Sequence, residues 1–153
     1  MKIRADEHVS QSIVRMICEL APTPGLEFTS IYDVGHGGTG DDYWATEFAN
    51  DGGQAIVSAD TDFFRKANQV VAIDRTGLKV IHLPSKWANA PSHLQAAHIL
   101  MWWPRIKRKL QEAKSREVWL VPWNINEDGE LRRKKVDYAA HYKKLKKAQR
   151  RAT

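Results

Sequence analysis

The chain has 153 residues, of which 42% are hydrophobic, a size and composition that suit one domain with a single core. It contains no run of about 18 apolar residues, which argues against a membrane-spanning helix. The first ten residues, MKIRADEHVS, turn acidic where a signal peptide would be apolar, so we expect a cytoplasmic protein. Its single cysteine, Cys18, excludes an internal disulfide, and its helical spacing favours packing in the core.

The charge of the chain, +6 in total, is unevenly distributed. Residues 1–100 contain eight basic and twelve acidic side chains, whereas residues 101–153 contain sixteen basic and six acidic ones. Such a difference predicts an acidic site beside a surface that attracts polyanions. A solvated basic tail is the simpler alternative.

Strand and helix patterns alternate along the chain, which predicts an α/β sandwich with a largely parallel sheet. Pro104 is expected to kink the fourth helix or to restart it, and the polar segment 124–135 is expected to form a loop. In chain order, the strand patterns lie at residues 2–5, 27–32, 54–60, 70–74, 78–83 and 116–123, and the helix patterns at residues 9–20, 41–51, 61–68, 92–113 and 136–151.

Acidic residues follow each of the first three predicted strands in pairs. The pairs are Asp6 with Glu7, Asp41 with Asp42, and Asp60 with Asp62. Because parallel strands of an α/β sheet place their carboxyl ends at one edge, we expect these side chains to lie together. Converging carboxylates are best tolerated around a divalent ion, and oxygen ligands favour Mg²⁺ or Mn²⁺ over zinc. For any single aspartate, helix capping or turn formation is the alternative explanation.

The glycine-rich stretch DVGHGGTGDDYW, residues 33–44, also has the G-x-G-x-x-G order of a dinucleotide-binding loop. A strand pattern precedes it, a helix pattern follows it, and Asp60 lies 20 residues beyond Gly40, as such a site requires. However, Asp41 and Asp42 begin the following helix, where their carboxylates would repel a phosphate. We therefore expect this loop to place carboxylates, and a nucleotide-dependent oxidoreductase is a weaker alternative.

Three acidic stretches of the sequence together resemble compact PIN-like domains. They are ADEHVSQSIVRMI (residues 5–17), GGTGDDYW (37–44) and SADTDFFR (58–65), and the likeness covers about residues 1–105, including VIHLPSKW. Relatives of these domains include the PIN-domain ribonucleases that act as toxins in bacterial toxin-antitoxin pairs. The resemblance implies a three-layer α/β/α sandwich with a mainly parallel central sheet, and cleavage of RNA that depends on Mg²⁺ or Mn²⁺.

The resemblance also implies roles for individual residues. Asp6, Asp41, Asp60 and Asp62 match the positions that bind the metal, and with Glu7 they form the expected catalytic set, whereas Asp42 is a weaker candidate than Asp41. The segment between Asp41 and Asp60 is too short for the additional helices of typical PIN ribonucleases. We expect a nuclease domain over residues 1–115, extended by a strand and a basic helix over residues 116–153.

The expected partners are an RNA substrate and a neutralising antitoxin protein, with a homodimer left open. Ser58 is expected either to orient a ligand or to bond nearby backbone, while His8 and His36 are not expected to bind metal. The main alternative function is a catalytically inactive PIN-like module that binds RNA or protein. The candidate cations for the RNA backbone are Lys107, Arg108, Lys109, Arg132, Arg133, Lys134 and Lys135.

Overall fold

A computed structural model of the chain describes residues 1–34, 41–126 and 128–152, and at Asp41 it describes the backbone alone. In these ranges six strands form one sheet, in the spatial order β2-β1-β3-β4-β5-β6. The first five strands are parallel, and the last runs antiparallel to its neighbour. The strands are β1 (Lys2–Ala5), β2 (Glu27–Ser30), β3 (Gly53–Ser58), β4 (Lys79–His82), β5 (Val118–Leu120) and β6 (Arg132–Lys134).

Six α-helices are found in the same ranges, together with short 3₁₀ turns at Ile31–Val34 and Phe63–Arg65. Among these described helices, none combines the length and the apolar character that crossing a bilayer requires. The helices are α1 (Gln11–Leu20), α2 (Asp41–Asn50), α3 (Ala67–Thr76), α4 (Ser85–Ala88), α5 (Ser92–Glu112) and α6 (Tyr138–Ala152).

Helices cover both faces of the sheet, because neighbouring residues of each strand point to opposite sides. On one face, Val57 and Ile81 belong to a core shared with α1, α4 and α5. On the other face, Ile56 and Val80 belong to a second core shared with α2 and α3, and α6 packs on the outside of α3 through a hydrogen bond from Tyr142 to Asp74 of 2.8 Å. This confirms the expected three-layer α/β/α sandwich with a mainly parallel central sheet. The two strands β5 and β6 lie in the segment expected to extend the domain, and the proposed division at residue 115 stays a prediction.

The strand predicted at residues 70–74 is wrong, because these residues form the middle of α3. The β-branched run Val70, Val71 and Ile73 imitates a buried strand in sequence. All residues from Gln69 to Ile73 are buried, so this part of the helix lacks the polar face that marks an amphipathic helix. Gly77 ends α3 in the left-handed conformation, with φ of 77°, and its amide bonds to the Ile73 carbonyl.

Three further expectations differ from the structure. Helix α5 continues through Pro104 and does not restart there, whereas the kink that was the other possibility stays a prediction. The two buried residues just before the proline, Trp102 and Trp103, anchor the helix to the core. The polar segment 124–135 is not wholly a loop, since it contains the edge strand β6, which sequence patterns miss because its residues are all basic. Cys18 is exposed and not in the core, because the buried stripe of α1 runs through its neighbours instead.

The close approach of α2 to β3 gives a test of this packing. A Cβ atom at Gly53 would lie 2.5 Å from ring atoms of the buried Phe48. We expect Gly53→Ala to lower the free energy of unfolding by about 1–3 kcal/mol, measured by urea denaturation. In a Phe48→Leu background, where the outer ring atoms are absent, the same substitution should cost clearly less. Equal costs in both backgrounds would contradict this packing.

Candidate functional site

Two of the predicted acids lie side by side at the carboxyl edge of the sheet. Strands β1 and β3 are parallel neighbours, with Ala5 opposite Val57. Asp6 is the first residue after β1 and Asp60 the second after β3, so both side chains emerge at the same edge. The Asp6 amide bonds to the Val57 carbonyl at 3.0 Å, which continues the strand pairing by one residue and fixes the position of Asp6 beside β3.

Ser58, the last residue of β3, connects these two acids. Its hydroxyl donates a short hydrogen bond to Oδ2 of Asp6 and accepts one from the backbone amide of Asp60 at 3.2 Å. The other carboxylate oxygen of Asp6 accepts from the His8 amide at 3.0 Å. The exposed fractions are 2% for Asp6, 0% for Ser58 and 3% for Asp60, so these are fixed interior groups. Of the two roles considered for Ser58, the structure shows the bond to nearby backbone, together with a contact to a carboxylate that was not expected, while orientation of a ligand stays a prediction.

The two carboxyl groups have opposite electrostatic environments. Burial raises the pKa of Asp6 to about 6, although the hydrogen bond from Ser58 and the nearby His8 act in the other direction. Burial also acts to raise the pKa of Asp60, but hydrogen bonds from Lys66 and from the Asp62 amide outweigh it and hold that pKa below its ordinary value. The pair therefore combines a stably ionised carboxylate with one that titrates just below neutral pH.

Basic groups surround Asp60, and sequence reasoning did not identify the most important of them. The Lys66 ammonium lies 2.9 Å from Oδ2 of Asp60, and the His8 ring nitrogen Nε2 lies 3.8 Å from the same oxygen. His82, at the end of β4, places Nε2 2.8 Å from the Asp60 carbonyl, and burial lowers its pKa. One signal could have found Lys66, since it is one of only eight basic residues in the acidic part of the chain.

The other predicted site residues are placed differently. Glu7 directs its side chain toward His8 at 3.9 Å and is 38% exposed, whereas Asp62 is 58% exposed and pairs with Arg65 at 3.6 Å. Within the ranges that the structure describes, no group of three or more histidine, cysteine, aspartate or glutamate side chains is arranged to hold a metal ion. The Asp41 side chain, His36 and the glycine-rich loop at residues 35–40 lie outside the described residues, so their expected contributions stay predictions.

The end of β2 also places an acid that the sequence analysis did not single out. Asp33, in the 3₁₀ turn after β2, accepts hydrogen bonds from the Ser30 amide at 2.9 Å and from the Gln11 side chain. The Gln11 hydrogen bond is the main reason why the pKa of Asp33 is lowered. These contacts tie the turn to the start of α1, which gives Asp33 a structural role in closing this edge of the sheet.

The donor set of the acidic pair fits a hard divalent cation. Asp6 and Asp60 present carboxylate oxygens from adjacent strand ends, and such oxygens are the ligands that Mg²⁺ and Mn²⁺ prefer. The raised pKa of Asp6 means that its ionised form is under-stabilised by the protein groups around it. A divalent ion between the two side chains would supply that stabilisation.

The pKa of Asp6 leads to a pH-dependent stability. Between about pH 4 and pH 6 the folded protein keeps a proton on Asp6 that the unfolded chain has lost, so rising pH removes stability. Asp6→Asn lacks this titration. As the pH rises from 4 to 7, the wild type should therefore lose up to about 3 kcal/mol of free energy of unfolding that this variant does not lose. Urea denaturation of both proteins without metal measures the difference. Asp62→Asn, which removes an exposed carboxylate nearby, is the matched control, and an equal trend in both variants would contradict the assignment.

A comparison with protein-family models agrees with this geometry. A family model described as a PIN like domain matches residues 1–85, which is more than half of the chain. The matched region contains β1 to β4 and the residues Asp6, Ser58, Asp60 and Lys66, whereas β5, β6, α5 and α6 lie beyond it. No curated protein and no solved structure matches the chain. The resemblance found in the sequence is thereby confirmed, and the chain belongs to the PIN-like domain family.

Proposed function

We propose that this protein is a metal-dependent endoribonuclease in which Asp6 and Asp60 hold Mg²⁺ or Mn²⁺. The observation that carries the proposal is the placement of these two buried acids at neighbouring strand ends, where the Ser58 hydroxyl bonds to the carboxylate of Asp6 and to the backbone amide of Asp60. PIN-like domains are often nucleases, and they commonly use divalent metals. The family match covers both residues of the acidic pair, so the two observations support the same activity.

The residues of the pair have distinct roles in this proposal. Ser58 fixes the carboxylate of Asp6, and Lys66 keeps Asp60 ionised, so that both are ready to bind a cation. The ion would activate water and neutralise charge on the scissile phosphate. Lys66, whose side chain is 41% exposed, can also contact a phosphate oxygen of a bound strand. Glu7, Asp41 and Asp62 are proposed as further ligands or as groups that support them.

The remaining parts of the proposal concern the biological setting. An acidic site repels RNA unless cations elsewhere neutralise the RNA backbone, and the excess of basic residues in 101–153 meets this need. We place the protein in the cytoplasm as the toxin of a toxin-antitoxin pair, with an antitoxin protein as its inhibitor. This setting rests on the sequence resemblance. Co-purification of the chain with the product of a neighbouring small gene would test it.

Loss of Asp60 should remove the activity. With Mn²⁺ and a labelled single-stranded RNA, Asp60→Asn should cut at least about 100-fold more slowly than the wild type, because one ligand is lost. Ser58→Ala should lose about 10–100-fold, since it only positions Asp6. Asp51→Asn is the matched control, because Asp51 is exposed at the opposite edge of the sheet, just before β3. Full cleavage by Asp60→Asn would refute the proposed site.

The ammonium of Lys66 contacts the oxygen that a metal would use, so the two cations should compete. We expect Lys66→Gln to bind Mn²⁺ more tightly than the wild type does, with half-maximal rise of the melting temperature at lower Mn²⁺ concentration. Lys2→Gln, which removes an ammonium from an exposed residue at the opposite edge of the sheet, where β1 begins, is the control. Weaker Mn²⁺ binding by Lys66→Gln alone would contradict competition at this oxygen.

A catalytically inactive binding module is the second candidate, and two observations favour it. Lys66 already supplies Asp60 with a cation, and within the described residues the acids do not form a group of three or more. In that case the acidic pair is a structural ion-pair network. Neither Mg²⁺ nor Mn²⁺ would then raise the melting temperature or support RNA cleavage by the wild type.

A further inference from the structure

A cavity of about 960 Å³ lies beside the acidic pair, and its function is not explained by the nuclease site. Its walls come from the turn after β3, from the ends of β4 and β5, and from the segment that leads into β6. This volume is at the upper end of the range that ligand sites occupy, about 300–1,000 Å³. Most of its lining lies beyond residue 85, outside the part of the chain that the family model matches.

The cavity and the acidic pair share part of their walls. Thr61 lines the cavity and directly follows Asp60 in the chain. His82 also lines it, and the ring nitrogen of this residue bonds to the Asp60 carbonyl at 2.8 Å. A ligand in the cavity that extends past Thr61 would therefore reach the carboxyl edge where Asp6 and Asp60 lie.

The cavity has an excess of positive charge. Lys86, Arg132 and Lys134 line it, and none of them forms an ion pair with an acidic side chain of the described residues. Among the lining residues that the structure describes, the acidic one is Glu130, and it is already paired with Arg108 at 3.4 Å. This balance favours an anionic ligand with more than one charge.

Aromatic and amide groups make up much of the remaining lining. Phe64 and Trp123 are half-buried there, and the Lys134 ammonium lies 4.6 Å from the centre of the Phe64 ring. Asn124 adds an exposed amide, which can both donate and accept hydrogen bonds. Cations that alternate with aromatic rings and amides are typical of surfaces that bind unpaired nucleic acid bases together with their phosphates.

We propose that this cavity binds a segment of single-stranded RNA and leads its backbone to the acidic pair. Bases contact the aromatic wall of Phe64 and Trp123, while phosphates contact Lys86, Arg132 and Lys134. Double-stranded RNA is excluded, because its bases are paired and stacked and cannot enter a cavity. The choice of RNA as the ligand rests on the proposed function, whereas the location of the binding site rests on the cavity itself.

Binding without cleavage tests this inference directly. The full chain is titrated against a fluorescently labelled RNA octamer of mixed sequence in EDTA, and anisotropy gives Kd. Arg132→Gln/Lys134→Gln should raise Kd about tenfold, and the slope of log K against log salt should fall in magnitude by about 1.4, for two lost phosphate contacts. Lys143→Gln/Lys147→Gln, the same charge change on exposed residues of α6 outside the cavity, should alter Kd less than about twofold.

Several outcomes would overturn the proposal. These are an unchanged Kd in Arg132→Gln/Lys134→Gln, an equal loss in the α6 control, or equal affinity for the duplex of the same sequence. Binding of a mononucleotide as tight as that of the octamer would instead assign the cavity to a free nucleotide. If the double variant does not fold, Lys86→Gln, on α4 and away from β6, tests the same wall and should also raise Kd.

The same titration separates this inference from the proposed nuclease activity. Asp60→Asn removes no cation from the cavity, so it should still bind the octamer, yet it should cut RNA with Mn²⁺ at least about 100-fold more slowly than the wild type. If the wild type binds the octamer in the cavity but never cleaves RNA, the proposed nuclease activity is wrong and the proposed binding site still holds. Cleavage that is unaffected by loss of the cavity cations would refute the binding site and keep the nuclease.

Discussion

The parallel pairing of β1 with β3 is the constraint on which the site depends. Their register places Ala5 opposite Val57, so Asp6 and Asp60 leave the sheet at the same edge and within reach of one serine hydroxyl. Both acids directly follow or lie close to a strand end, both are almost fully buried, and each carboxylate accepts a hydrogen bond from a backbone amide. The sheet therefore holds two carboxylates in a fixed arrangement, although removing them from water is unfavourable.

The protein stabilises the ionised forms of the two buried acids unequally. Lys66 stabilises the ionised form of Asp60, whereas Asp6 has hydrogen bonds but no ammonium or guanidinium partner within 4.0 Å among the described residues. Two titratable groups whose environments drive their pKa values apart are a common feature of sites with divided chemical roles. In this protein the asymmetry leaves Asp6 as the group with most to gain from a bound cation. That is why the acidic pair, and not the larger count of acids in the sequence, supports the metal hypothesis.

Sequence patterns predicted that Asp6 and Asp60 lie together, because both follow the ends of parallel strands. Asp6 and Asp60 were identifiable because each follows a short apolar run, and parallel topology then brings such positions together. Lys66 and His82 were missed because their contacts with Asp60 arise from the 3₁₀ turn and from the register of β4, which residue spacing does not reveal. The middle of α3 was mistaken for a strand because residues 69–73 are all buried, so periodicity could not separate a helix from a strand there.

The segment beyond the family match completes the carboxyl edge of the sheet. Strands β5 and β6 and the connection between them form the wall of the cavity next to His82, and His82 in turn bonds to the backbone of Asp60. The acidic pair supplies negative charge, and the neighbouring wall supplies the positive charge that a polyanion needs. Two residues of the basic excess in the last third of the chain, Arg132 and Lys134, line this cavity, whereas α6 carries further basic residues and buries none of its side chains.

A crystal structure of the wild-type protein grown with Mn²⁺, with anomalous scattering measured for manganese, tests the central claim most directly. The account expects one strong anomalous peak within about 2.0–2.3 Å of carboxylate oxygens from both Asp6 and Asp60, with Lys66 displaced from Oδ2 of Asp60. A peak at any other place, or Lys66 still bonded to Asp60 with no ion between the two acids, would contradict it.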